Sequence, residues 1–252
     1  MEEHQAIWQQ ALEQGNPSEA LNLYRTTDGS DETTEGVLES FVKIQTFLRE
    51  KNPAKAREVL SKQTTTLEWL EEIKNDLKVQ LTTLEEATKA LDKHDPDTAL
   101  DRLNTITSPL LLAEAETLRG TALIYHNDTV GAKAAFERAV SRDPNHYRAI
   151  TNLGNLALEA NNLDEAILKY EHALKLNENF ANAHHNLAVA YRKKGMVSKS
   201  VSELKKAQRV SQQKLREEAR QMFKGRQTTK YLRWLLIAVA AIILYLFIQR
   251  TP

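Results

Sequence analysis

Three consecutive stretches of this chain align with one another without a gap. They are AEAETLRGTALIYHNDTVGAKAAFERAVSRDPNH (113–146), YRAITNLGNLALEANNLDEAILKYEHALKLNENF (147–180) and ANAHHNLAVAYRKKGMVSKSVSELKKAQRVSQQK (181–214). A fixed 34-residue period confines the fold to stacked copies of one supersecondary unit, each contacting mainly its neighbours. Gly120, Gly154 and Ala188 share a column in which a small side chain lets two helices approach. Ala132, Ala166 and Ser200 share a second, Phe136, Tyr170 and Leu204 a third, and Ala139, Ala173 and Ala207 a fourth. Each copy reads as two amphipathic helices of about a dozen residues joined by a polar turn, NDTVG, ANNLD or KGMVS. Such a unit is too small to bury its apolar face alone, and stacking supplies the cover.

These columns resemble the tetratricopeptide repeat, whose pattern has leucine and glycine in the first helix, alanine, aromatic and alanine in the second, and proline in the turn. Leu153, Leu187, Tyr191 and Pro144 also fit, whereas Arg119 occupies the leucine column and Glu178 and Gln212 replace the proline. Looser versions run upstream. NPSEALNLY (16–24), NPAKAREVL (52–60) and DPDTALDRL (95–103) each place Asn-Pro or Asp-Pro before a helix start, then alanine, then an apolar residue four positions on. The spacing between Ala20, Ala56, Ala99 and Ala132 drifts around the period instead of holding it. We therefore expect an all-α protein: a right-handed superhelical stack of about six hairpins, three degenerate in 1–112 and three regular in 113–214, followed by a single C-terminal transmembrane helix. A basic capping helix or connector is expected at 215–230 and the anchor at 231–249. The stretch TLEWLEEIKNDLKVQLTTLEEATKALDK (66–93) keeps one apolar helical face throughout, as one long helix or as two meeting near Thr82.

The anchor expectation rests on YLRWLLIAVAAIILYLFIQRTP, in which no charge falls between Trp234 and Ile248. With the preceding residues this makes a helix of about 27 Å, enough for a thin bilayer, with Arg233 able to snorkel and Tyr231, Trp234 and Tyr245 suited to the interfaces. Residues 231–248 carry no Asp, Glu, Lys, His, Asn or Gln, so the segment reads as a mooring without intramembrane chemistry. Lys214, Arg216, Arg220, Lys224, Arg226, Lys230 and Arg233 precede it and only Arg250 follows, which places the N-terminal part on the cytosolic side, as in a tail-anchored protein. MEEHQAIWQQ at the start shows no cleavable presequence.

Chemistry is sparse. The chain has no cysteine, which excludes disulfides, thiolate metal sites and a cysteine nucleophile. No phosphate-cradling glycine motif, nucleophile elbow or paired catalytic carboxylate stands out, so neither an enzyme nor a cofactor is expected. His184 and His185 are adjacent on a helix and diverge, and the remaining five histidines show no i, i+4 pairing, so no metal site is expected. The basic run from Lys205 to Arg233 lacks interleaved aromatics and suits anionic headgroups better than nucleic acid.

By resemblance, the first helices of successive repeats line a concave surface that binds extended peptides or partner helices. Here that lining would comprise Thr117, Thr121, Arg148, Thr151, Asn152, Asn155, Asn182, His185, Asn186, Val189 and Arg192, a polar surface suited to backbone and carboxylate recognition. Co-chaperones that clamp the C-terminal carboxylate of heat-shock chaperones are also similar in spacing. Asn155, Asn186, Arg216 and Arg220 match four of their five clamp positions, while Thr151 stands in place of the lysine. That clamp requires LREEARQMFKG (215–225) to stack as a further first helix. The expected function is thus a scaffold or adaptor holding a protein or peptide partner beside a membrane, with a carboxylate receptor or a structural subunit of a membrane complex as alternatives. Partner identity and oligomeric state stay open.

Overall fold

The computed structural model describes residues 2–27, 31–65, 67–225, 234–235 and 237–239. Its helices form six hairpins: α1 (Glu2–Glu13) with α2 (Pro17–Thr27), α3 (Glu32–Arg49) with α4 (Pro53–Ser61), α5 (Glu68–Asp92) with α6 (Pro96–Leu103), α7 (Pro109–Tyr125) with α8 (Thr129–Arg142), α9 (Tyr147–Glu159) with α10 (Leu163–Leu176), and α11 (Ala181–Lys193) with α12 (Val197–Gly225). Each helix packs chiefly on its two neighbours in sequence, as a solenoid requires. No strand occurs among the described residues.

All six hairpins turn in the same way. Gly15, Lys51, His94, Asn127, Asn161 and Gly195 have φ of 79°, 57°, 62°, 59°, 59° and 79°, one left-handed residue per turn. The next residue in each turn, Asn16, Asn52, Asp95, Asp128, Asn162 or Met196, sends its N–H back to the last turn of the first helix. The acceptors are the carbonyls of Ala11, Phe47, Ala90, Leu123, Ala157 and Tyr191, at 2.8–2.9 Å. This is a Schellman closure, which satisfies carbonyls that a helix end otherwise leaves unpaired. Asn52, Asp95 and Asp128 then cap the second helix by accepting from Lys55, Thr98 and Gly131 N–H. Four residues further on stand Ala20, Ala56, Ala99, Ala132 and Ala166, each fully buried, and Ser200, nearly so.

The aromatic column explains the glycine column. A Cβ on Gly120 would lie 2.4 Å from the Phe136 ring, and one on Gly154 would lie 2.7 Å from the Tyr170 ring. The third repeat has Ala188 opposite Leu204, so the wider first-helix residue accompanies the narrower second-helix one.

The second to fourth hairpins have longer first helices than the last two. α3, α5 and α7 are 18, 25 and 17 residues long, against 13 for α9 and α11. α5 runs unbroken through Thr82. Besides its sequence neighbours, α7 packs on α1, α3 and α5, so these first helices converge and fill their own concave side. One continuous core results, from Trp8 through Phe41, Leu70, Leu77 and Leu84 to Leu111 and Leu118. Gly15 abuts the backbone of Pro109 so closely that a Cβ would come 2.6 Å from its carbonyl oxygen, and Gln45 Nε2 donates to Gly15 O at 2.8 Å. The expected division at 112/113 therefore has no counterpart in the packing, because α7 belongs equally to the N-terminal core and to the first regular repeat. Beyond α7 the cores are small and local, as around Phe136 and Leu153 or Tyr170 and Leu187.

A buried polar junction ties the closed part to the regular repeats. Arg49 at the end of α3 holds Asp143 bidentately, at 2.7 and 2.8 Å. Arg148 Nη1 donates to Leu48 O at 3.1 Å and to both Glu114 oxygens at 2.8 and 2.9 Å. His146 accepts from Ala149 N–H through Nδ1, which leaves Nε2 to donate to Glu114 at 3.0 Å. Burial alone would push the Glu114 carboxyl up. Arg148 and His146 outweigh it and hold the group below the ordinary carboxylate range.

Residues 215–225 continue α12 without a break, in place of the separate capping helix or further first helix expected from the sequence. Among the described residues no helix is long and apolar enough to cross a membrane. The expected anchor at 231–249 lies outside the described residues apart from 234–235 and 237–239, as does the remainder of the expected connector.

Two predictions follow from this packing. Gly154→Ala should destabilise the chain by about 1–2 kcal/mol, since overpacking against Tyr170 exceeds the gain in helix propensity. In a Tyr170→Leu background the same substitution should become neutral or stabilising. A double-mutant cycle by urea unfolding checks this, and an equal effect in both backgrounds would show that the ring is not what the glycine accommodates. Because the folded Glu114 carboxyl titrates below its unfolded value, its contribution is full above the ordinary carboxylate range and is lost as pH falls through the folded value. Glu114→Gln should therefore cost about 3 kcal/mol at neutral pH by leaving Arg148 unpaired, and should flatten the acid limb of a stability–pH profile below about pH 4.

Candidate functional site

With α1, α3, α5 and α7 packed together, the concave face stays open along α9 and α11, where successive first helices barely touch. The expected lining residues divide accordingly. Thr117 is wholly buried and its hydroxyl donates to Ala113 O at 2.8 Å. Thr151 is likewise buried, donating to Tyr147 O at 2.8 Å. Arg148 is consumed by the junction with Glu114 and Leu48. Thr121 bonds back to Thr117 O within its own helix. These four serve packing, and the two expected site residues among them, Arg148 and Thr151, are not available to a ligand.

Asn152, Asn155 and Asn186 form the centre of what remains, all half-buried. Asn155 Oδ1 accepts from Asn186 Nδ2 at 2.7 Å across the two helices and from the Tyr170 hydroxyl at 2.9 Å. Burial pushes the Tyr170 phenol up, so it serves as a donor at any physiological pH. Asn155 Nδ2 reaches Asn152 Oδ1 only at 3.5 Å, a weak contact that leaves the amide N–H groups almost unspent. Asn186 Oδ1 accepts nothing among the described residues. The cluster thus presents free amide donors and a free acceptor side by side, the pair of groups that a peptide backbone unit needs. Exposed Asn182, His185 and Arg192 on α11 surround it, with Val189 half-buried between them. This part of the surface is neutral to basic.

The carboxylate clamp is not assembled in this arrangement. Arg216 and Arg220 are exposed on the extension of α12, the second helix of its hairpin, and no further first helix carries them toward Asn155 and Asn186. His184 points inward, with Nδ1 at 2.6 Å from Glu203 and Nε2 at 2.9 Å from Glu178 O, while His185 is exposed. Among the described residues no group of three or more His, Asp or Glu is placed to hold a metal ion.

Sequence reasoning missed Glu114 and the role of Tyr170, although the repeat register contains both. Glu114, Arg148 and Asn182 occupy one column, 34 residues apart, so Glu114 and Arg148 must stand side by side on adjacent first helices. Asn152 and Asn186 share another column in the same way. A charge reversal within a column therefore signals a ligand-free ion pair.

A TPR repeat family model matches residues 154–195, and tetratricopeptide repeat models match 123–168 and 181–214. No curated protein is significantly similar to the chain. Among solved structures, a crystal structure of MamA shares 21% identity over 68% of this chain and 95% of its own, with a TM-score of 0.45. A crystal structure of YrrB, described as a TPR protein with an unusual peptide-binding site, shares 16% identity over 76% of this chain and 92% of its own, with a TM-score of 0.42. Together the three repeat models match residues 123–214 of this chain.

Proposed function

We propose that the chain is a membrane-moored scaffold whose open concave strip on α9 and α11 binds an extended protein or peptide segment. The observation that carries this is the amide cluster of Asn152, Asn155 and Asn186. Tyr170 and the inter-helix bond fix the orientation of Asn155 and leave its N–H groups and the Asn186 carbonyl unspent. A stack held together only by packing has no use for such a preformed pair on an open face, whereas a peptide backbone matches it unit for unit. Binding would be modest for each amide, so a partner must run along both helices.

The membrane half of the proposal rests on the uncharged stretch from Trp234 to Ile248 and on the cations that precede it. Anchoring gives the scaffold its mechanism. Confinement to one surface raises the effective concentration of a membrane-resident partner without any new contact. We place the repeats on the cytosolic side, where the basic extension of α12 meets anionic headgroups at about 1 kcal/mol per cation.

Two measurements test the halves separately. Affinity capture with the full chain in detergent should retain a partner that Asn155→Ala/Asn186→Ala loses by at least about tenfold, since two hydrogen-bonding groups contribute roughly 1 kcal/mol each; circular dichroism should confirm that the variant is folded. Capture unchanged by the double substitution would remove the groove from consideration. In cells, the full chain should stay with membranes through carbonate extraction and truncation at residue 225 should release it. Release of both would overturn the mooring.

A further inference from the structure

Among the described residues, the last hairpin lacks the cover that every earlier one possesses. In the aromatic column, Phe136 is buried under α9 and Tyr170 under α11. Leu204, the third member, is 41% exposed. The same holds around it: Tyr147 and Thr151 are buried, but their counterparts Ala181 and His185 are half-buried and exposed. Ala181, Asn182 and His185 of α11 and Leu204, Ala207 and Gln208 of α12 line a depression of about 520 Å³, at the place where another first helix would lie. α12 prolongs this surface. Val197, Val201, Leu204, Gln208, Ser211 and Leu215 follow one another at alternating spacings of four and three, the stripe that a partner helix packs along. Val197, Val201 and Leu215 are 63%, 46% and 66% exposed.

Charge selects the occupant. Lys205, Arg209, Arg216 and Arg220 form a row along one edge of the stripe, Lys214 stands on the other, and none of them has an ion pair among the described residues. The anions nearby are few: Glu203 is engaged by His184 and Lys206, and Glu217 and Glu218 lie near the end of the helix. A second copy would set one basic row against another. We infer that this end face docks an amphipathic helix of a partner protein, apolar on one side and acidic on its flanks, which stacks on α11 and α12 as an additional first helix. The site adjoins the amide cluster at Asn182 and His185 but does not include Asn152, Asn155 or Asn186.

The probe is a synthetic helix that keeps the apolar face of α11, namely Ala183, Leu187, Ala190 and Tyr191, and carries glutamates at its outward positions. Its control carries lysines instead. Both are titrated by fluorescence anisotropy against the full chain in uncharged detergent. The acidic helix should bind saturably, and the lysine control at least about tenfold more weakly, with the difference shrinking as salt is raised. Leu204→Glu should abolish binding, and Lys205→Glu/Arg209→Glu should weaken it about tenfold. Gln208→Glu, at an exposed position that cannot disturb folding, should weaken it several-fold. Asn155→Ala/Asn186→Ala should leave it unchanged, which separates this site from the groove. Equal binding of both helices, or none, overturns the inference. So does sedimentation showing a native dimer that Leu204→Glu dissociates, since the occupant is then a second copy. Binding seen only after removal of residues 226–252 would assign the face to the chain's own tail. Adhesion to anionic vesicles that depends on Lys205 and Arg209, without helix binding, would assign the row to the lipid surface.

Discussion

Everything in this architecture depends on one turn, used at every hairpin. A residue held in the left-handed region lets the following N–H close back on the first helix, and at Asn16, Asn52, Asp95 and Asp128 that same following residue caps the next helix. Four positions later a side chain no larger than alanine or serine must sit between the two helices. The three requirements fall within six residues, so the crossing of each pair is fixed locally before any distant contact forms. Glycine meets the left-handed requirement without steric cost at 15 and 195, and asparagine tolerates it at 127 and 161. Lys51 and His94 do not, and at those turns the tertiary packing must hold a conformation that the residue itself disfavours by about 1 kcal/mol.

Uniform turns do not make a uniform solenoid, because the first helices differ in how far they converge on the concave side. Thirteen-residue first helices, as in α9 and α11, scarcely meet and leave a strip open. The longer α3, α5 and α7 converge and exclude it. The N-terminal hairpins therefore act as a closed body with one core, and α7 is the helix at which closure gives way to openness. The charged junction lies at this transition. Glu114, His146 and Arg148 satisfy one another while Arg148 also takes the carbonyl of Leu48 at the end of α3. Removing one member leaves a buried charge unpaired, so the junction is stable as a set and costly to edit singly.

Much of this was legible in the sequence, and for a definite reason. The turn and the small-residue column are local, so NPSEA, NPAKA and DPDTA disclose them even where the period drifts. The amide pair was legible as well, because Asn155 and Asn186 sit in columns whose spacing places them across adjacent helices. What could not be read was closure, which depends on contacts between first helices up to a hundred residues apart in the chain, such as Arg148 with Leu48. Thr151 and Arg148 were assigned to a groove on the assumption that every first helix faces solvent on its concave side. That assumption fails where α3 reaches the α8–α9 turn. The clamp arginines failed for the opposite reason: helix propensity is high across 211–225, nothing in the sequence ends α12, and Arg216 and Arg220 stay on a second helix.

Closure also determines where this chain can engage anything else. A solenoid ordinarily offers its concave side along its whole length, but here the closed hairpins withdraw the first two-thirds of that side and confine polar recognition to the two helices before the end. The same stacking logic leaves the end face partly apolar, since each repeat is completed by the next and no further repeat follows α12 among the described residues. These two surfaces adjoin at Asn182 and His185, and the end face continues along α12 into its basic extension, which precedes the uncharged C-terminal stretch in the sequence. Both surfaces proposed for recognition therefore lie toward the C-terminal end of the repeats, while the closed hairpins, joined to α9 through Arg148 and to the α8–α9 turn through Asp143, hold α9 in place.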